Sequence, residues 1–108
     1  MLRIFFGEAD KFNGQPLHEA IITLAREKGM AGATVLRGVM GFGAHSRIHS
    51  AKILRISEDL PVVIEIVDGA AKIEQFLPFL DEMIAEGLVT VENVRVITYR
   101  SDSSEHKL

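Results

Sequence analysis

Gly38, Gly41 and Gly43 stand among side chains that can hold an anion, with Arg37 before them and His45, Arg47 and His49 after them. Glycine adopts positive φ without steric cost, and successive N–H groups in such a turn converge on one point, which a phosphate or carboxylate oxygen fits. The charge around this turn departs from that of the rest of the chain. No Asp or Glu occurs from Lys28 to Ser57, whereas Lys28, Arg37, Arg47, Lys52 and Arg55 all fall there. Over 108 residues the chain has 15 acids against 12 Lys and Arg, for a net charge of -3. An acidic protein thus gathers basic charge around a glycine-rich turn, and this points to a site for a small anionic ligand. Gly41-Phe42-Gly43 is not a Walker motif, because no Gly-Lys-Ser/Thr follows, and no long helix follows it as a Rossmann turn requires. Gly38 interrupts a strand pattern, where glycine marks a bulge or a close backbone approach.

Two other chemistries can be drawn from the same stretch. His45 and His49 are four apart, as in a zinc-peptidase helix, but Ser46 occupies the place of the glutamate. A metal held by His45 and His49 needs further donors, such as Glu8 or Glu65, and two imidazoles alone are an incomplete shell. Acid–base catalysis by either histidine needs a partner that the spacing does not supply. No catalytic set is assigned, and the chain is read as a binding protein rather than an enzyme. With no cysteine, thiolate catalysis, disulfides and cysteine-ligated metals are excluded. The acids of the segment from Gly7 to Gly14 could bind a cation or a hydroxyl, or serve only as a solvated turn.

The elements that must position this turn follow from periodicity. Leu2 to Phe6 reads as a central first strand. Pro16 is expected at the first position of a helix whose apolar stripe is Leu17, Ile21, Leu24 and Ala25, with Gly29 as its stop. Thr34-Val35-Leu36 forms a second strand that opens into a long loop over 41–60, in which Ala51 to Ile56 forms a short strand. Val62 to Val67 is the clearest strand. Asp68 is expected as the N-cap of a second helix bearing Ile73, Phe76, Leu77, Leu80 and Ile84, bent or divided at Pro78 and stopped by Gly87. Leu88 to Val91 begins a last strand that resumes over Val94 to Tyr99. Residues 1–100 form one domain, and 101–108 a flexible tail.

Two strand–helix–strand halves interleave most simply as a ferredoxin-like βαββαβ sandwich, an α+β fold with both helices on one face and a long loop between strands 2 and 3. The other face carries too much Val and Ile to meet water in a monomer, so it is expected to be covered by further subunits of a homo-oligomer or by the extended loop. Nucleic-acid binding on such a sheet needs exposed aromatics, and only Phe5 and Phe6 lie on the first strand, so no nucleic-acid partner is expected. No apolar run approaches a membrane span, and Met1 to Phe6 is too short for a signal peptide, so a cytoplasmic location is expected.

Gly7-Glu8, Asp10, Gly14, Pro16-Leu17, Gly32-Ala33-Thr34-Val35, Arg37-Gly38, Gly41-Phe42-Gly43, His49, Leu60-Pro61, Glu65 and Gly87-Leu88-Val89-Thr90 together resemble the bacterial and archaeal family called domain of unknown function 190, from Leu2 to Tyr99. That family is similar in fold to the P-II signal-transduction proteins, trimers that bind adenine nucleotides between subunits and dock a flexible loop on partner proteins. The resemblance implies a P-II-like homotrimer, an adenine nucleotide as ligand, and a partner protein or membrane transporter met by the 41–60 loop. It further implies that Thr34 faces the base while Gly41 and Gly43 face the phosphates, with Arg37, His45 and Arg47 nearby. The sequence departs from P-II in having Ala44 and His45 after the last glycine, where P-II proteins carry a basic residue and a glutamine. The tyrosine that carries covalent modification in P-II loops is also absent, Tyr99 being the one tyrosine. Arg95 and Arg100 match the basic residues of the last third of P-II subunits by position only. A second trimeric relative, the divalent-cation tolerance proteins, is the alternative for a metal held at His45 and His49.

Overall fold

Leu2, Ile4 and Phe6 alternate with Arg3, Phe5 and Gly7, and this period of two makes Leu2–Gly7 a strand (β1) with one face buried. The same alternation in Pro61–Ile66 (β7) buries Val62, Ile64 and Ile66. The computed structural model describes residues 1–41 and 59–101, and the backbone at 49–50.

After β1 the chain makes a small hairpin, β2 (Lys11–Phe12) and β3 (Gln15–Pro16). Its turn residues Asn13 and Gly14 have φ of 50° and 80°, the left-handed pair of a two-residue type I′ turn. The expected plain turn is thus a hairpin, and Asn-Gly is its signature. Helix α1 spans Leu17–Glu27, with Pro16 as its N-cap at φ -55° and ψ 132°. Pro16 therefore does not take the first helical position; it pairs with Lys11 across the hairpin, which holds it extended. At the other end Gly29, at φ 72°, donates to the Arg26 carbonyl (3.1 Å), and Met30 donates to that of Ala25 (3.0 Å). This is a Schellman stop, as the glycine led us to expect.

Strand β4 (Thr34–Arg37) is followed by two short pieces, β5 (Met40–Gly41) and β6 (His49–Ser50), that pair with each other. The expected strand over Ala51 to Ile56 lies outside the described residues. Helix α2 spans Ala70–Met83, and its N-cap is Gly69, not Asp68. The Asp68 carboxylate instead accepts the N–H groups of Gly69 (2.7 Å) and Ala31 (2.8 Å), tying the start of α2 to the connection between α1 and β4. Pro78 does not divide α2. It forfeits one hydrogen bond, and burial of Ile73 and Phe76 before it and Leu80 and Met83 after it holds both halves to the core. The helix ends at Ile84, which is extended, so Gly87 lies beyond the stop and leads into β8 (Leu88–Val91).

The four long strands form one sheet in the order β4-β7-β1-β8, antiparallel throughout. This is the ferredoxin-like α+β arrangement, with β1 and β7 central. Helices α1 and α2 cover the face bearing Leu2, Ile4, Phe6, Val62, Ile64 and Ile66. Register places two rows on the other face, Leu36–Val63–Phe5–Leu88 and Thr34–Glu65–Arg3–Thr90. Arg3 joins the second row by ion pairs to Glu65 (3.0 Å) and to Glu92 (2.7 Å) beyond β8.

The last strand does not resume after Glu92. Residues 94–99 carry no strand and are exposed. The β-branched sequence of 94–98 suits an extended backbone, but a ladder needs a neighbouring strand, and among the described residues no strand pairs with it. No described helix is long and apolar enough to cross a membrane.

Gly87 has φ 155°, and a Cβ there would lie 2.6 Å from the Phe5 carbonyl oxygen. Gly87→Ala is expected to lower stability by about 1–3 kcal/mol. Gly32, with nothing within 4 Å of a Cβ, should accept alanine with a change within about 0.5 kcal/mol. Urea unfolding of both variants checks this, and equal midpoints would contradict it.

Candidate functional site

The glycine segment leaves the sheet at the end of β4, and Pro61 receives it there. The Gly38 N–H donates to the Pro61 carbonyl at 2.7 Å. A Cβ on Gly38 would lie 2.7 Å from Pro61 Cγ, and one on Gly41 3.0 Å from the same atom. Gly38 therefore marks a close approach, one of its two expected roles. Gly41 is a correction. The described glycines with left-handed φ are Gly14, Gly29 and Gly87, whereas Gly41 is part of β5. Its missing side chain is explained by the pyrrolidine ring against it, not by positive φ.

The β5–β6 ladder pairs Gly41 with His49 and Met40 with Ser50, so the chain returns to the same place after residues 42–48. Gly43, His45 and Arg47 lie outside the described residues, and of His49 only the backbone is described.

Thr34 and Arg37 both lie on β4, but period two sends them to opposite faces. Thr34 shares the open face with Glu65, while Arg37 pairs in register with the buried Val62. A ligand meeting both must wrap around the edge of the sheet. The exposed Arg37 guanidinium pairs through Nη2 with the Glu8 carboxylate. An exposed ion pair of this kind contributes at most about 1 kcal/mol, so an anion that offers more hydrogen bonds can take the guanidinium from Glu8. The sequence holds no sign of this partnership, because residues 8 and 37 meet only through the sheet.

The acids beyond β1 support the backbone. Asp10 Oδ2 accepts the Gly7 N–H (3.3 Å), Asp59 Oδ1 accepts the Ala9 N–H (2.7 Å), and the Glu8 N–H donates to the Leu60 carbonyl (2.8 Å). The Asp59 carboxyl also fills the space where a Gly7 side chain would stand. Neither expected reading describes this: Asp10 closes the turn after β1, and Asp59 holds the start of β7 to it. Among the described residues no group of three His, Asp or Glu is placed to hold a metal ion. The hollow between the hairpin, α1 and α2 is lined by Phe12, Leu24, Phe79 and Met83 together with Glu27 and Glu82, and that lining is unsuited to an anion.

Burial raises the Asp10 carboxyl above its ordinary 3.8, the hydrogen bond from Gly7 lowers it, and the charges of Asp59 and Glu86 raise it further. A carboxyl raised on folding binds its proton more firmly in the folded chain. Its contribution is complete below pH 3.8 and is lost as pH rises through the raised value. Asp10→Asn removes this loss, so wild-type stability relative to the variant should fall as pH climbs from 3.8. Chemical unfolding across that range checks the sign, and a relative stability that climbs instead would contradict it.

The chain shares its fold with a solved structure of CPII, a nitrogen regulatory PII-like protein from Thiomonas intermedia K12, bound to ADP, AMP and bicarbonate. The TM-score is 0.53 at 23% identity, over 88% of this chain and 84% of that one. It is 39% identical to a UPF0166 protein of Aquifex aeolicus, over 90% of this chain and 91% of that protein. To a UPF0166 protein of Methanocaldococcus jannaschii it is 35% identical, over 97% and 95%. Residues 1–96 match DUF190, described as Uncharacterized ACR, COG1993, and the chain belongs to that family.

Proposed function

We propose that the protein is a cytoplasmic, non-catalytic regulator. As a homo-oligomer, on the P-II pattern a trimer, it binds an adenine nucleotide or another small anionic metabolite between subunits. The 41–60 segment docks on a partner protein or a membrane transporter. The observation that carries the reading is the exit of β4, where Gly38 and Gly41 are held against Pro61 beside the exposed guanidinium of Arg37. This exit lies within a stretch, Lys28 to Ser57, that has five basic residues and no acid. The shared fold with a protein whose structure holds ADP, AMP and bicarbonate adds support.

In this reading Thr34 meets the base from the open face. Backbone N–H groups around Gly41 and Gly43 meet the phosphates, and His45 and Arg47 close over them. Arg37 exchanges Glu8 for the ligand. Each charge-assisted hydrogen bond gained contributes about 1.5–3 kcal/mol.

Calorimetric titration with ATP, ADP, AMP and bicarbonate tests the site. Arg37→Ala and Arg47→Ala should each weaken binding by roughly ten- to a hundredfold, the loss of one charge-assisted contact. The subunit's unfolding should be unaffected, since Arg37 is exposed. No binding below millimolar by wild type, or unchanged binding by the double variant, would sink the assignment.

A further inference from the structure

Ala20, Thr23, Leu24 and Glu27 lie along one stripe of α1, and Phe79, Glu82 and Met83 along one stripe of α2. Ala20 and Thr23 are short side chains, and they leave room that the β2–β3 hairpin and α2 do not fill. The result is the hollow between these three elements, about 310 Å³ in volume. It lies on the helix side of the sheet and shares no residue with the candidate anion site.

Its floor is apolar, with Ala20 and Met83 buried. Phe12, Leu24 and Phe79 form half-buried walls packed against the core. Glu27 and Glu82 reach the hollow from different helices, and both are exposed. Among the described residues neither carboxylate takes part in an ion pair. Two like charges therefore border one apolar hollow without a countercharge. Lys28 does not line it, yet its ammonium stands over the Phe79 ring, 4.4 Å from the centroid. That contact shows Phe79 presenting the negative face of its ring to a cation.

These surroundings set the ligand's charge and its body. Both carboxylates repel an anion. A magnesium or calcium ion needs about six oxygen donors, which the apolar floor and walls cannot give. An ammonium group on an apolar body suits all three parts of the lining. The volume holds about ten non-hydrogen atoms, at the ~30 Å³ that one water molecule occupies in the liquid.

We propose that this hollow binds a small organic cation, an ammonium group carried on an aromatic or short aliphatic body. The body rests on Ala20 and Met83 between Phe12 and Phe79. The ammonium group faces Glu27 and Glu82, and Gln15 and Thr23 at the mouth offer it further acceptors.

Phenethylammonium, 2-phenylethanol and phenylacetate carry similar aromatic bodies and differ in charge. Each is titrated into the protein at neutral pH and followed by amide NMR shifts. Phenethylammonium should shift residues of the hairpin, α1 and α2 that line the hollow. It should bind roughly tenfold more tightly than the alcohol, and phenylacetate more weakly than either. In a Glu27→Gln, Glu82→Gln double variant the preference for the cation should vanish while the alcohol binds as before. Both positions are exposed, so the subunit keeps its fold, and the unchanged alcohol titration verifies that the hollow persists. No shift by phenethylammonium at millimolar concentration would overturn the site, as would shifts that fall outside the hollow. Equal binding of the three probes to wild type, or a cation preference that survives both substitutions, would overturn the ligand class.

Discussion

The structure depends on the pairing of β1 with β7, six residue pairs from Leu2 opposite Ile66 to Gly7 opposite Pro61. This register puts Leu2, Ile4 and Phe6 on the same face as Ile66, Ile64 and Val62, and there they form the floor on which α1 and α2 pack. A slip of one residue in either strand would turn its own three outward. The same ladder delivers Pro61 to the place where Gly38 and Gly41 must pass, and so positions the segment read as an anion site. Asp59 and Leu60 fix the end of the pairing by bonding Ala9 and Glu8. Core, sheet edge and candidate site are therefore set by one interaction.

Much of this was legible in the residue pattern. Alternation in Leu2 to Gly7 and Pro61 to Ile66, the glycine stop at Gly29 and the order of elements are local signals, and they led to the observed sheet. Errors fell where a local signal had two readings. Pro16 fits the first turn of a helix, but pairing with Lys11 makes it the cap. Asp68 is a good capping residue, yet its carboxylate is shared with Ala31, whose proximity only the fold creates. Gly38 and Gly41 are positions where a side chain would meet Pro61, and glycine was expected to matter at both. The physical reason at Gly41 was wrong, because contact with a proline twenty residues away is not written in the neighbouring sequence. The same limit hid the partnership of Arg37 with Glu8 and that of Asp59 with the backbone of Ala9.

Val94 to Tyr99 shows the limit most plainly. Its composition specifies a strand, but a strand is a property of a pair. The fold treats the two faces of the sheet unequally. One is covered by helices, while the other carries the row Leu36–Val63–Phe5–Leu88 beside the charged row of Arg3 and Glu65. A single copy thus leaves exposed apolar side chains on the outer row (Leu36 and Leu88), on the β4 edge (Val35) and on the strand-forming segment (Val94, Val96 and Ile97). Under the proposed self-assembly, a second copy supplies what a single copy leaves bare.

Native mass spectrometry of the protein as purified, and again after addition of ADP, tests this account most directly, because it weighs subunit number and bound ligand in one spectrum. The account predicts a closed oligomer with no free subunit at micromolar concentration, and one ADP retained per subunit. A spectrum of monomers, or of an oligomer that takes up neither ADP nor another small anion, would contradict it.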